Sequence, residues 1–248
     1  MIKVDNIAVY NFSGAFRGLR NPMNSWDKSD SHYCYETDCN TCSSAFIDCD
    51  IYKEHSSIIC ENGLVNSKYM AYPEDYVIGP ADMELAQRMI RAGASDSKFL
   101  RQIFVSMDIT APLYWWKEMD QYKVGTTTDS CSTMHKISAK RFEREDFSIE
   151  HLENCDEHHW MVCMDNVIAS LNVAREKYLE TKYKKYWWQM IQLLPSSYNQ
   201  MRTWTGSYAN LRNIFFQRKS HKLDEWREFC EKLKYFPYGK ELITYDFA

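Results

Sequence analysis

Apolar residues in the second half of this chain recur at helical spacing, whereas those near the start alternate. Helices are predicted over approximately 165–180, 183–193, 199–218 and 222–234. Pro195 and the two serines that follow it separate the second from the third. Near the N-terminus Ile2, Val4, Ile7 and Val9 alternate with other residues, which predicts a strand. The chain must therefore combine strands with a helix-rich C-terminal half.

The middle of the chain carries a second strand between two helices. Pro80 suits a first helical turn and Gly93 suits the position after a helix end, so a short helix is predicted between them. Alternation over 103–107 predicts a strand. Pro112 then starts another helix, which is expected to reach Lys123. A length of 248 residues fits one compact domain with an elaboration.

Residues 31–75 form a cysteine-rich segment with weak periodicity, interpreted as an insertion organised by a metal ion or as a functional flap. Four of its cysteines are the candidate metal ligands: Cys34, Cys39, Cys42 and Cys49. Cys39-x-x-Cys42 has the spacing of two thiolates on one zinc ion. Because a second pair with this spacing is missing, a set of reduced, partly buried thiols is the alternative.

The charge balance and the hydropathy disfavour duplex nucleic-acid binding and a membrane-spanning segment. Thirty Lys and Arg against 34 Asp and Glu give a net charge of -4, which disfavours a protein that binds duplex nucleic acid. No run approaches the roughly 18 apolar residues that span a bilayer, and the first residues do not resemble a signal peptide. A cytoplasmic protein whose cysteines are thiols or metal ligands is expected.

Arg218 is the most informative single position. On a helix it shares the apolar face of Leu211, Ile214 and Phe215. A guanidinium on such a face needs an anion, and its planar fork suits a carboxylate, a phosphate or the edge of a nucleobase. Either an internal ion pair or a bound ligand would meet that need.

Residues 123–135 form a second candidate region. Lys123, Thr126, Ser130 and Ser132 bring an ammonium group and hydroxyls to one glycine-containing loop, which could surround a phosphate. The loop lacks the Gly-Lys-Ser/Thr ending of a Walker A motif. A Thr- and Ser-rich surface loop is the alternative interpretation.

The segment from Leu194 onward resembles the flavin-dependent thymidylate synthases. That family reads Leu-Pro, then a tyrosine, Trp-Thr nine residues beyond the proline, and a Leu, an Asn and an Arg on one helix, followed by a Trp. Here the corresponding residues are Pro195, Tyr198, Trp204, Thr205, Leu211, Asn213, Arg218 and, one residue later than expected, Trp226.

A second block, from Phe99 through Ala111-Pro112 to Lys123, is similar to the strand and helix that precede the family's signature Arg-His-Arg-x-x-Ser-x-Asn-Glu-x-Ser-x-Arg. The signature is altered, since Gln121, Tyr122 and Lys123 stand where Arg, His and Arg are expected. Gln102 replaces the family's histidine before the strand. The resemblance covers about 80–245, and residues 1–30 are similar to the family's first strand.

The resemblance implies an α+β protein, a single domain over 1–248 with a central sheet and packed helices. It also implies a homotetramer with active sites between subunits, in which FAD, with NADPH as reductant, transfers a one-carbon unit from methylenetetrahydrofolate to dUMP and gives dTMP. Arg218 and Ser132 would then be catalytic, and with Arg101 they would contact the substrate. The implied cofactor-binding residues are Lys123, Thr126, Ser130, Gln102, Ser207 and Asn213.

The altered signature leaves two alternatives open. One keeps flavin and folate but changes the reaction on the pyrimidine, for example to hydroxymethylation. The other is a non-catalytic nucleotide-binding protein on the same scaffold. Several arginines of the family are absent, and each charge-assisted hydrogen bond so lost is worth about 1.5–3 kcal/mol.

Overall fold

The computed structural model describes residues 2–33 and 76–247. These residues form two compact units. The first unit comprises 2–3, 109–121 and 129–203, and the second comprises 4–33, 76–108, 122–128 and 204–247. Cys34, Cys39, Cys42 and Cys49 lie outside the described residues, so zinc binding by these cysteines stays a prediction.

The described strands form two sheets. They are β1 Lys3–Tyr10, β2 His32–Tyr33, β3 Tyr76–Val77, β4 Phe104–Pro112, β5 Thr127–Ser130 and β6 Asn199–Ser207. Four of them form a sheet in the order β1-β4-β6-β5, while β2 and β3 pair antiparallel. In β4 the buried residues alternate with partly or fully exposed ones until the last pair, as a strand with one face on a core requires. The predicted strands at the N-terminus and at 103–107 are confirmed.

The helices follow most of the predicted periodicity. They are α1 Phe12–Arg20, α2 Pro80–Ala92, α3 Leu113–Met119, α4 Thr133–Lys136, α5 Trp160–Thr181, α6 Lys184–Leu193, α7 Tyr208–Arg218 and α8 Asp224–Leu233. Pro80 opens α2, and Gly93 ends it with a φ of 115°, as predicted. No helix in 2–33 or 76–247 is long and apolar enough to cross a membrane.

Aromatic residues from distant parts of the chain form the core of the second unit. The Phe12 ring meets Tyr208 and Tyr238 edge-on, with centroids 5.6 and 5.5 Å apart. On α8, Trp226 and Phe229 are fully buried. Burial of each such side chain contributes about 1.5–3 kcal/mol, so these contacts fix α7 and α8 against the rest of the unit.

The first unit has its own core between α5, α6 and the loop that precedes α5. Its buried members are Ile137, Phe142, Phe147, Met164, Ile168, Leu171, Ala174 and Met190. Asn172 on α5 is buried among them, and its amide exchanges two hydrogen bonds of 2.9 Å with the backbone of Phe142. These two hydrogen bonds hold the loop that precedes α5 against this helix.

The predicted helix over 199–218 was wrong in its first half, because 199–207 is strand β6. Trp204 lies between two β-branched residues, Thr203 and Thr205, and its buried ring leaves no room for a side chain at position 206. Ser207 then caps α7: its side chain accepts from the Asn210 N–H, and the Asn210 side chain bonds back to the Ser207 N–H. The helix therefore begins at Tyr208.

Three other predicted boundaries moved. Pro112 closes β4 and precedes α3, and α3 ends at Met119, four residues before Lys123. The helix predicted from 165 begins earlier, at Trp160. Helix α1, which lies between β1 and the polar turn that follows Arg20, was not predicted at all.

Candidate functional site

The second unit contains an open cleft of about 790 Å³. The end of α2, the turn around Arg101, the start of β4, the loop at 124–125 and the first turns of α7 line it. Its side chains are of mixed character, with Arg101, Ser207 and Asn213 among the polar ones and Phe104 and Phe216 among the apolar ones. A volume in the range of 300–1,000 Å³ suits a cofactor or a nucleotide.

Three residues singled out from the sequence meet in this cleft. Arg101 and Ser207 come from segments more than 100 residues apart, and Asn213 lies in the second turn of α7. Ala209, Arg212, Asn213 and Phe216 all line the cleft, because positions three, four and seven residues apart share one helix face. One face of α7 therefore forms one wall of the cleft, and the end of α2, the turn around Arg101, the start of β4 and the loop at 124–125 form the rest.

Hydrogen bonds fix the loop that carries Lys123 and Thr126. The Asn210 side-chain amide donates to the Val124 carbonyl over 2.8 Å, and Thr126 Oγ1 donates to the Tyr122 carbonyl over 2.6 Å. Gly125, at a φ of 73°, supplies the left-handed turn between them. Val124 and Gly125 line the cleft. Lys123 and Thr126 are their neighbours in the sequence and do not themselves line it.

Arg101 is the side chain in the cleft that is most available to a ligand. It is exposed, and within the described part of the chain it makes no hydrogen bond or ion pair. Ser207 differs, because its hydroxyl donates to Asn210 Oδ1 over 2.7 Å as part of the helix cap. Asn213 is exposed and accepts from Gln217 Nε2 over 2.9 Å.

Arg212 is a cleft residue that the sequence interpretation missed. It donates to the carbonyls of Ile243 and Tyr245, and its guanidinium lies 4.6 Å from the centre of the Phe216 ring. Burial lowers the pKa of Arg212 from its ordinary value, an effect that Asp246 partly offsets. Arg212 and Phe216 are four residues apart, a spacing at which a guanidinium can lie over an aromatic ring of the same helix. That spacing is the sequence signal from which this contact could have been predicted.

Arg218 lies on another side of α7 and does not line the cleft. At 100° per residue it projects about 140° away from Asn213. It is half-buried, its Nε donates to Tyr122 Oη over 2.8 Å, and its guanidinium lies 5.0 Å from the centre of the Trp226 ring. Tyr122 and Trp226 therefore orient the Arg218 guanidinium, which the helical spacing had predicted to share a face with apolar residues.

The other predicted site residues lie elsewhere. Gln102 is exposed, its carbonyl accepts from Asn11 Nδ2 over 2.9 Å, and it does not line the cleft. Ser130 is the last residue of β5. Ser132 caps the short helix α4, where its hydroxyl accepts a hydrogen bond from the His135 N–H over 3.0 Å. Both serines belong to the first unit. Among residues 2–33 and 76–247, no three metal-ligating side chains come together.

Comparisons with known proteins bear on the fold. No protein-family model and no curated protein sequence matches the chain. Thymidylate synthase X (ThyX) from Helicobacter pylori, solved with FAD and dUMP, is similar with a TM-score of 0.59 and 13% identity over 99% of this chain and 98% of that one.

A second Helicobacter pylori structure, described as flavin-dependent thymidylate synthase ThyX complexed with FAD and dUMP, gives the same TM-score and identity over 98% of each chain. The similarity runs over nearly the whole length of both proteins, which confirms the predicted fold class. The chain has an α+β fold similar to that of the flavin-dependent thymidylate synthases.

Proposed function

We propose that this protein is an enzyme that uses FAD to transfer a one-carbon unit from methylenetetrahydrofolate to dUMP, giving dTMP. The observation that carries the proposal is the cleft of the second unit, where Arg101, Ser207 and Asn213 converge in a chain whose fold is similar to that of two proteins solved with FAD and dUMP. NADPH as reductant and a location in the cytoplasm belong to the same proposal.

The cleft residues fit a dinucleotide cofactor. Arg101, which makes no hydrogen bond or ion pair with the described residues, offers a cation for a phosphate, and the N-terminal end of the eleven-residue helix α7 adds a partial positive charge. Phe104, about half exposed, offers flat apolar surface to planar rings. The cap occupies the backbone N–H groups of Ser207 and Asn210, and the Tyr208 N–H donates to the Ile103 carbonyl, so the phosphate donors in this proposal are mainly side chains.

Bound flavin would supply the hydride and relay the one-carbon unit, so the task of the protein is binding, orientation and electrostatics. In this proposal Arg101, which the family resemblance assigned to the substrate, is reassigned to the cofactor because it shares the cleft with Asn213, and Lys123 and Thr126 add donors from the neighbouring loop. Arg218 contacts the pyrimidine and stabilises negative charge on it, while Tyr122 and Trp226 fix the direction of its guanidinium.

The proposal includes a homotetramer with sites between subunits. Arg218 projects from another side of α7 and does not line the cleft. Helix α7 of one subunit therefore does not bring both the cleft and Arg218 to the same ligand. A second copy could bring its own Arg218 to the cleft of the first. Ser132, which belongs to the first unit, is assigned to the substrate on the same basis.

The test is an absorption spectrum of the purified protein across the flavin bands, followed by titration with dUMP. A bound flavin whose spectrum changes on addition of dUMP is the expected result, and production of dTMP from methylenetetrahydrofolate would complete it. A colourless protein that added FAD does not reconstitute would overturn the proposal.

Arg101→Ala gives a sharper test of the cleft. Loss of one charge-assisted hydrogen bond of about 1.5–3 kcal/mol should weaken FAD binding about ten- to 150-fold. Arg91→Ala is the matched control, because Arg91 is exposed at the end of α2 and does not line the cleft. Equal FAD affinity of the two variants would remove Arg101 from the site.

A second candidate, a non-catalytic nucleotide-binding protein, draws on the position of Tyr122. This residue replaces a histidine of the family signature, and its hydroxyl accepts from Arg218 and donates to Gln217. A site rebuilt in this way could bind a nucleotide without flavin. Retention of flavin through purification excludes this candidate, and mass analysis of the product separates methylation from hydroxymethylation.

A further inference from the structure

A cysteine and a histidine lie together at the start of α5, in the first unit and outside the cleft. Cys163 Sγ is 3.3 Å from His158 Nε2, and both side chains are exposed. Cys163 lies in the first turn of this 22-residue helix. A thiol and an imidazole within hydrogen-bond distance are the pair that activates a sulfur nucleophile.

The surrounding structure fixes the pair. The rings of His158 and Trp160 are 4.1 Å apart between centroids. The backbones of Cys155 and His158 exchange two hydrogen bonds, of 2.9 and 3.2 Å, which close the turn that presents the imidazole. The next residue after Cys163, Met164, is buried in the core of the first unit, so the helix carrying the thiol is anchored.

The first turn of α5 and the neighbouring imidazole distinguish Cys163 from the other described cysteines. The N-terminal end of an α-helix carries a partial positive charge that stabilises an anion in its first turn. Thiolates, not thiols, react with disulfides. Cys131 and Cys155 are exposed as well, and Cys230 is buried, with burial raising its pKa to about 12. In the described part of the chain, Cys163 is the cysteine that combines exposure with an imidazole at its sulfur.

We propose that Cys163 is a modification site that exchanges with low-molecular-weight disulfides, with His158 as its proton acceptor. In the tautomer with its proton on Nδ1, His158 accepts the thiol proton at Nε2, and the thiolate attacks one sulfur of the disulfide. That S–S bond breaks, a bond forms between Cys163 Sγ and the attacked sulfur, and the other half leaves as a thiolate that takes the proton. Cys163 is oxidised and the small disulfide is reduced.

The rate advantage follows from thiolate chemistry. A neighbouring base that accepts the thiol proton increases the fraction of encounters in which the Cys163 sulfur attacks as a thiolate. Nucleophilicity falls as the thiolate becomes easier to form, which removes part of that gain. We expect Cys163 to react roughly three to ten times faster than Cys131.

The test treats the full-length protein with glutathione disulfide at about pH 7 and measures the adduct at each cysteine by peptide mass spectrometry. Cys163 should be modified first, Cys131 more slowly and Cys230 not at all, and dithiothreitol should remove the adduct. Cys163→Ser should abolish this fast adduct. Equal rates at Cys163 and Cys131 would overturn the proposal.

The role of His158 needs its own control. His158→Gln should lower the rate at Cys163 to that of Cys131, whereas His159→Gln, a change at the adjacent exposed histidine, should leave it unchanged. Added imidazole should restore part of the rate in His158→Gln, which a purely structural role of the ring would not allow. An unchanged rate in His158→Gln would refute the assignment of the proton acceptor.

Discussion

Asp82→Asn tests the buried charge pair that joins the N-terminal segment to α2. The Asp82 side chain is fully buried and its Oδ1 accepts from Arg20 Nε over 2.6 Å, while Oδ2 accepts from Ser29 Oγ and from the backbone and hydroxyl of Ser31. The Arg20 side chain is 7% exposed, and its Nη2 has no hydrogen-bond partner in the described residues. Asparagine would leave this cation buried without its counter-charge.

Breaking a buried pair by removing one partner costs about 3–5 kcal/mol. Urea unfolding followed by tryptophan fluorescence measures this. With an m value of about 3 kcal/mol/M, the midpoint should fall by roughly 1–1.7 M. Glu84→Ala on the exposed face of α2 is the matched control and should change stability by less than about 0.5 kcal/mol. An equally small change in Asp82→Asn would refute the reasoning. The double variant with Arg20→Met should lose less than the sum of the single changes.

The same carboxylate makes stability depend on pH. Burial alone would raise the pKa of Asp82, but hydrogen bonds from Ser29, Ser31 and Arg20 outweigh it and hold the pKa below its usual value. A carboxylate with a lowered folded-state pKa contributes stability that is present above the unfolded pKa of about 3.9 and is lost as the pH falls through the folded pKa. Unfolding midpoints measured from pH 7 down to pH 3 should therefore fall less steeply in Asp82→Asn than in the wild type.

Three further changes test the site, the strand before α7 and the cysteine-rich segment. Arg218→Ala should fold and keep flavin but lose dUMP binding, as a spectral titration would show; an unfolded variant would instead assign Arg218 to the packing of Tyr122 and Trp226. Gly206→Ala places a Cβ 2.3 Å from the Trp204 ring and should cost about 1–3 kcal/mol in urea unfolding; full stability would mean that the buried ring is free to move. Cys39→Ser with Cys42→Ser should remove zinc detected by metal analysis, and an unchanged metal content would end that hypothesis.

Local sequence patterns were sufficient to predict the helices and strands whose apolar spacing fits only one type of secondary structure. The strand at the N-terminus, α2 with its terminal glycine, α5, α6 and α8 lie close to their predicted positions, because periodicity and capping act over a few residues. The pattern failed at β6. Gln200, Trp204 and Tyr208 are buried and four residues apart, a spacing that satisfies both a strand and a helix. Pairing with β4 and β5 decides between them, and those partners lie far away in the sequence.

The sequence alone also determined which residue types were available to a site, since its motif resemblance pointed to Arg101, Ser207, Asn213 and Arg218. Only the tertiary structure decided that the first three share a cleft and that Arg218 lies on another side of α7. The direction of each side chain depends on where α7 begins and on how Trp226 packs against Arg218. Contacts between segments that are distant in the chain set both, and no local pattern encodes the free energy of those contacts.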